Sequence, residues 1–349
     1  MRVFSGIRAS GEKTLGNYSG GFRQYVATQE QAAESGGAAY FCIVDLHSIT
    51  TAYDPAELRE ATLSLAAMLF ATGLDAERSI VFAQSHVSAH AEAAWLLSSA
   101  TSVGELRRMT QFKEKAAQQD FVSAGLFNYP VLMAGDILLY QADIVPVGDD
   151  QRQHVELARN IAERFNQRYG DTFVVPSGVF PAEGARVKNL QEPERLMSTS
   201  AGAPQGVVRM TDPPDVIRKK FKTAVTDSGR DVVHDPADKP GISNLIEIMA
   251  VATGDTIQAI ETRYDGQGYG RFKEDVADAV VTVLAPIQER YHELRADDGE
   301  LRRLLAAGAE KACAASTPTL SRMYDVMGFV PRVAGRRGSS PAKPGSARA

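Results

Sequence analysis

The 349-residue sequence is poor in several things at once. Its only two cysteines, Cys42 and Cys313, stand far apart. A disulfide framework is excluded, and a reducing, cytoplasmic compartment is expected. No apolar run reaches the roughly 18–20 residues that span a bilayer, so no membrane partner is expected. The opening Met1-Arg2-Val3-Phe4-Ser5-Gly6 reads as the start of a strand and not as a leader. Positive charge is the scarcer sign, with 38 Lys and Arg against 43 Asp and Glu. That excludes a chain coated in basic charge but leaves room for a local nucleic-acid patch. Six histidines are present, and they suggest no metal site. His86 and His90 are four residues apart, but no Glu and no third ligand accompany them, and both read as ordinary helix-start residues. No Ser-His-Asp or Cys-His arrangement is legible.

What remains is ordinary globular composition, 44% hydrophobic and 23% charged. The length suggests about two domains and a core that needs no cross-link. Charge is unevenly spread. The stretch 333–349 is rich in Gly, Ser, Pro and Ala and carries Arg336, Arg337, Lys343 and Arg348, with Arg332 just before it. It has no acid and nothing bulky and apolar, so disorder is expected there. Setting those five cations aside moves the net charge from −5 to −10 for the remainder, 33 positive against 43 negative.

Short apolar runs alternate with amphipathic segments through the first half. Residues 2–5, 40–44, 79–83 and 144–147 read as strands. Helices are expected over about 17–31, 55–71, 89–99, 131–141 and 151–169. This alternation predicts an α/β fold with a parallel sheet covered on both faces, and ligands at the carboxyl ends of its strands. After about residue 200 the strand signals stop. Helices are expected over 215–224, 241–253, 255–264, 270–294 and 298–327, and Phe272, Val276, Val280, Leu284 and Ile287 have the spacing of a buried stripe.

Three segments carry candidate chemistry. The first strand runs into Ser5-Gly6-Ile7-Arg8-Ala9-Ser10-Gly11, and Thr14-Leu15-Gly16-Asn17 opens a helix. Small residues let backbone approach a ligand, free N–H groups at a helix start suit phosphate, and Asn17 fits an N-cap. In the second segment, helical spacing puts Tyr129, Met133, Asp136 and Tyr140 on one face. A carboxylate among large apolar side chains needs a partner. Either Asp136 makes a structural hydrogen bond or ion pair, or it is the one acceptor of an apolar pocket, gripping an N–H or O–H donor. The third, Gly148-Asp149-Asp150-Gln151, follows a strand. Asp150 there suits ribose hydroxyls and Gln151 an amino-acid backbone group, unless the two acids only cap the next helix. His47 follows the strand 40–44, where a ligand contact is plausible.

Together these segments resemble the bacterial tryptophanyl-tRNA synthetases, the class I enzymes nearest to the tyrosyl ones. Phe4-Ser5-Gly6-Ile7 with Thr14-Leu15-Gly16-Asn17 is similar to that family's form of the class I HIGH motif. Further matches are Phe41-Cys42-Ile43-Val44-Asp45 with His47, Met109–Lys115, Asp143–Gly148 with Asp150-Gln151, Ala224–Ser228, Lys239–Leu245 and Pro286–Arg290. The resemblance covers about residues 1–330. It implies a Rossmann-like catalytic domain over 1–200 with a helical insertion at about 105–140, a helical anticodon-binding domain over 201–330, and a basic tail over 331–349. It implies that L-tryptophan and ATP form tryptophanyl-adenylate and that the tryptophanyl group passes to tRNA(Trp), with Mg²⁺, in a homodimer. By position it places tryptophan against Phe4, His47, Tyr129, Met133, Asp136, Val145, Val147 and Gln151, with Asp136 on the indole N–H. It places ATP against Arg8, Ala9, Ser10, Thr14, Gly16, Asn17, Gly148, Asp149, Asp150, Val187, Leu196, Met197, Ser198, Thr199 and Ser200. The catalytic groups implied are Asn17, Lys115, Ser198 and Ser200.

Two departures stand out. The second class I motif, Lys-Met-Ser-Lys-Ser in the family, is here Leu196-Met197-Ser198-Thr199-Ser200. Losing one preorganised donor on the leaving pyrophosphate typically costs on the order of 10²–10³ in rate. The first loop has Arg8-Ala9 where the family has Gln-Pro. Arg8 and Arg195 together are expected to offset the missing lysines. Arg218-Lys219-Lys220-Phe221-Lys222 is a candidate basic face for tRNA phosphates, or a solvated face near the active-site loop. Two alternatives stay open: a tyrosyl-type relative, or, from the departures, a synthetase-like paralogue, either an antibiotic-tolerant second copy or a binding or regulatory protein with weakened activation.

Overall fold

The structure, a computed structural model, describes residues 1–9, 11–117, 120–180, 187–198 and 202–331, with the backbone alone for Asp149. Ser10, Thr199, Ser200, the Asp149 side chain and the tail from Arg332 lie outside the described residues.

Five strands form one parallel sheet: β1 (Arg2–Ile7), β2 (Ala38–Ile43), β3 (Ile80–Ala83), β4 (Ile144–Pro146) and β5 (Ser177–Val179). Their order is β3-β2-β1-β4-β5. The chain winds outward from β1 to β3, then crosses back to lay β4 on the other side of β1. The strand order therefore reverses between β1 and β4, and a crevice opens at their carboxyl ends. Four strands coincide with the apolar runs. The fifth is a three-residue edge strand, Ser-Gly-Val, with no apolar alternation to announce it. It is placed by pairing, with Ile144 opposite Ser177 and Val145 opposite Gly178.

In chain order the helices begin with α1 (Leu15–Asn17), which runs through a π-helical turn (Tyr18–Phe22) into α2 (Arg23–Glu34). Next are α3 (Asp45–Ser48), α4 (Pro55–Ala71), α5 (Ala89–Ser98), α6 (Val103–Arg108) and α7 (Thr110–Ala116). Then follow α8 (Ala124–Leu138), α9 (Arg152–Tyr169), α10 (Pro214–Lys222) and α11 (Pro240–Thr253). The last are α12 (Ile257–Tyr264), α13 (Gly268–Ala296) and α14 (Asp298–Val326). Helix α8 begins seven residues before the expected 131. Ser123 caps it by accepting from the Leu126 N–H at 3.0 Å, and Pro130 sits inside. Burial of Leu126, Tyr129, Val131 and Ala134 outweighs the hydrogen bond that proline forgoes.

The sheet is apolar on both faces. One side packs with α2 and α4 and continues into the core of α10–α13. The other packs with α5, α8, α9 and α14. The C-terminal helices lie directly on the sheet layers. Tyr291 of α13 bonds Ser64 of α4 at 2.9 Å, and α14 crosses β3 so closely that a Cβ on Gly308 would lie 1.9 Å from the Val81 carbonyl oxygen. Among the described residues no helix is long and apolar enough to cross a membrane.

Candidate active site

A cavity of about 260 Å³ opens at the carboxyl ends of β1 and β4. Phe4, Val145 and Val147 supply its apolar floor, Tyr129, Met133, Asp136 and Ile137 of α8 one wall, and His47 of α3 another. Gln151, Gln111, Lys115 and Arg8 stand around it. All eight residues expected around tryptophan are thus brought into one cavity. Tyr140 is not part of the lining. It lies beneath, stacked on Phe4 and Tyr40 with centroids 5.6 and 4.5 Å away.

Among the described residues Asp136 is the one carboxylate in this lining, and it is buried. One oxygen accepts from Gln84 Nε2 at 2.7 Å and pairs with His90 Nδ1 at 2.6 Å; the other pairs with His47 Nε2 at 2.8 Å. His90 is anchored in turn by Tyr140 Oη at 2.8 Å. Burial alone would raise the Asp136 carboxyl, but hydrogen bonds from His47 and His90 prevail and hold it down to about 2. It is therefore an ionised acceptor, and an ionised carboxylate takes about four donors, so the oxygen facing His47 has room for one more. His90 is not an ordinary helix-start residue: α5 carries it into the core against α8. Gln84 and His90 carry no motif of their own. Only their packing against Asp136 reveals them.

A second network leads away from α8. Tyr129 Oη donates to Gln111 Oε1 at 3.2 Å and lies 2.8 Å from His154 Nε2. Lys115 stands over the Tyr129 ring, 5.2 Å from its centroid. Gln111 and Gln151 both donate to Asp150, at 3.4 and 2.6 Å. Asp150 is thus tied to cavity side chains, while the N-cap position of α9 is Gln151, with no side-chain cap bond. Burial first, and the Lys115 charge second, hold His154 down to about 4, so it is a neutral donor or acceptor. Its Nδ1 has no partner among the described residues.

Beyond the cavity, the two motif loops meet. Thr14, not Asn17, is the N-cap of α1: its hydroxyl accepts from the Asn17 N–H, and Asn17 returns its amide oxygen to the Thr14 N–H at 2.9 Å. The turn is pinned by Leu15 N–H to the Val208 carbonyl at 2.9 Å. A Cβ on Gly16 would lie 3.1 Å from the Met197 carbonyl oxygen, so only glycine allows this contact without displacement. Met197 is buried, and its N–H reaches the Val187 carbonyl at 3.0 Å. Ala9 and Val187 are also buried, in the core and outside the cavity lining. Gly148 turns tightly before Asp150; a Cβ there would meet Asp150 Oδ1 at 2.6 Å.

The chain matches the family described as class I tRNA synthetases (W and Y) over residues 1–285. It is 50% identical to a tryptophan–tRNA ligase of Listeria monocytogenes, covering 94% of this chain and 97% of the relative. It is 51% identical to one from Leifsonia xyli, over the same shares. Its fold superposes on a tryptophanyl-tRNA synthetase of Campylobacter jejuni complexed with ADP and tryptophan, with a TM-score of 0.81 at 33% identity, covering 94% of this chain and all of that one. The chain belongs to the bacterial tryptophanyl-tRNA synthetases, of class I.

The second motif of this synthetase departs from the Lys-Met-Ser-Lys-Ser that the resemblance leads one to expect. Leu196 is 54% exposed and stands cross-strand from Lys188. The two arginines expected to compensate are placed differently. Arg8 lines the cavity, and no carboxylate among the described residues forms an ion pair with it. Arg195, however, pairs with Glu192 at 3.7 Å and does not line the cavity. The basic face on α10 is likewise smaller than expected. Phe221 is core, Lys220 is held by Asp212 and the Val207 carbonyl at 2.5 and 2.7 Å, and Arg218 pairs with Asp278 at 2.8 Å.

Proposed function

We propose that this synthetase activates L-tryptophan with ATP and transfers it to tRNA(Trp). A tryptophan carboxylate oxygen bonds to the α-phosphorus of ATP. The bond from that phosphorus to the bridging oxygen breaks, and pyrophosphate leaves with the electron pair. A hydroxyl at the 3′ end of the tRNA then attacks the carbonyl carbon and loses its proton, and AMP leaves. The observation that carries this reading is the cavity itself, whose apolar walls hold one ionised acceptor, Asp136, at the switch point of the sheet. The indole N–H binds Asp136 beside His47, and Phe4, Tyr129, Met133, Val145 and Val147 enclose the ring. Gln151 meets the amino-acid end. Lys115 and Arg8 face the phosphates; Gly16, Asn17, Gly148 and Asp150 face the nucleotide, with Met197 and Ser198 from the second motif. Positioning and electrostatics account for most of such a reaction.

Mg²⁺ enters this scheme with the nucleotide. Among the described residues no group of three or more His, Cys, Asp or Glu is placed to hold a metal ion. Phosphate-borne Mg²⁺, which keeps several waters, needs no such group. The anticodon is read by the helical segment after residue 200, and the reaction runs in the cytoplasm, where Cys42 and Cys313 stay free.

Aminoacylation of total tRNA with tryptophan and with tyrosine tests the function. Charging with tryptophan alone is expected, and charging with tyrosine instead would overturn it. Intact tRNA binding without any charging would favour the regulatory reading. The functional unit is a homodimer in this proposal, supported by large apolar side chains left exposed on neighbouring elements: Trp95 of α5 (79%), Val103 of α6 and Phe121 before α8 (80%). Trp95→Glu is expected to halve the mass measured by light scattering. An unchanged dimer would place the interface elsewhere.

A further inference from the structure

The loop that lost its lysine does not replace it: Leu196 is apolar, and Arg195 is turned to Glu192. The opposite wall of the crevice is different. Lys13 belongs to the turn between β1 and α1. Its carbonyl accepts from the Met210 N–H at 2.8 Å, and Thr14 beside it bridges Arg209. That same segment carries Val208, whose N–H meets Met197 Sδ at 3.4 Å. The turn and the second motif are therefore fastened together. The Lys13 ammonium folds back across the turn and donates to the Arg8 carbonyl at 3.1 Å. Glu12, the adjacent acid, pairs with Arg209. Arg8 and Lys115 both line the cavity. Arg8 thus has Lys13 bonded to its backbone on one side and Lys115 in the same cavity lining on the other.

We propose that Lys13 supplies the cation on the ATP triphosphate and the departing pyrophosphate that Leu196 cannot. In this chain the charge has moved from the second-motif loop to the first-motif turn. The inference rests on the activation chemistry above. As the bond from the α-phosphorus to the bridging oxygen breaks, the electron pair passes to pyrophosphate, and the ammonium stabilises it without giving up its proton. Burial first and Arg8 second lower Lys13 to about 8, and the same two causes lower Lys115. Half-buried like charges of this kind are relieved by a polyanion. Lys188 is the rival. It stands opposite Leu196, where directly paired side chains share a face, but Leu196 looks out to solvent on that face.

The test compares the full-length wild type with Lys13→Ala, Lys13→Arg, Lys188→Ala and the double variant Lys13→Ala/Leu196→Lys. ATP and AMP binding with Mg²⁺ is measured by calorimetry without amino acid, and tryptophan-dependent pyrophosphate exchange is measured beside it. Lys13→Ala is expected to weaken ATP at least about tenfold while AMP binds as before, and to lower exchange on the order of 10²-fold. Unchanged AMP binding also certifies the fold. Lys13→Arg is expected to keep both activities and to lessen the decline in ATP affinity expected of the wild type above about pH 8. Adding Leu196→Lys restores exchange to Lys13→Ala. An ATP-to-AMP preference unchanged in Lys13→Ala, or a loss that appears in Lys188→Ala instead, overturns the proposal. A protein that shows the ATP effect yet exchanges no pyrophosphate with tryptophan refutes the function and leaves Lys13 in its role.

Discussion

Asp136 is buried and held by His47, Gln84 and His90 from three separately packed segments. Arg8 and Lys115 line the same cavity, from a turn and from the short helix α7, and Lys13 is bonded to the Arg8 carbonyl. At the closed end, the position of Asp136 is set by hydrogen bonds from the buried Gln84 and His90 and the largely buried His47. On the proposed phosphate side, charge is carried on long lysine and arginine stems. A lysine ammonium acts as a compact point charge, so it can be delivered from more than one backbone position. A buried acceptor with three donors already in place cannot be relocated. On the proposed function, a departure at Leu196 is therefore expected to cost less than one at Asp136.

The contrast breaks first at Asp136. Asp136→Asn removes the acceptor's charge and turns an N–H toward donors already in place, which is the severe kind of mismatch. Its kcat/KM for tryptophan is expected to fall on the order of 10³-fold with the KM for ATP nearly unchanged. Comparable effects on both substrates in steady-state assays would show that the two sides are not separable.

The next largest effect is on stability in acid. His154 binds a proton less readily when folded, so protons favour unfolding. The stabilisation is complete above about pH 6.5 and is lost as the pH falls toward about 4. At most about 3 kcal/mol is at stake. Asp136 adds a second window, complete above about pH 3.8 and lost on falling toward about 2. Urea unfolding at a series of pH values should show the first window, and His154→Gln should flatten it. A limb that survives that substitution belongs to another group.

Arg8→Gln is the mildest. About a tenfold rise in the KM for ATP is expected, because the flexible cations nearby share its task, while the KM for tryptophan stays put. Pyrophosphate-exchange kinetics equal to the wild type would remove Arg8 from the phosphate site.

Much of this was readable before any coordinates. The run Tyr40–Ile43 is buried throughout, as a central parallel strand requires, and α4 spans the expected 55–71, capped by Asp54. The i, i+4 spacing of Tyr129 and Met133, with Asp136 three residues on, placed all three on the cavity wall. What escaped was non-local. β5 has no pattern of its own and exists because β4 offers it an edge. The early start of α8 runs against the local rule for Pro130 and follows from burial. Gln84 lies 52 residues from Asp136, and His90 46. Lys220 reads as part of a basic face, and only the fold turns it inward to Asp212.

The sequence by itself determined the parallel α/β sheet and the helical second half, because hydrophobic periodicity is a local property; the eight cavity residues and the gap in the second motif followed from its resemblance to the family. Tertiary structure alone decided that Asp136 stays ionised, that Arg195 is spent on Glu192, and that Lys13 reaches back over the turn to Arg8. Charge state and charge direction depend on desolvation and on neighbours distant in the chain, and neither exists until the elements pack.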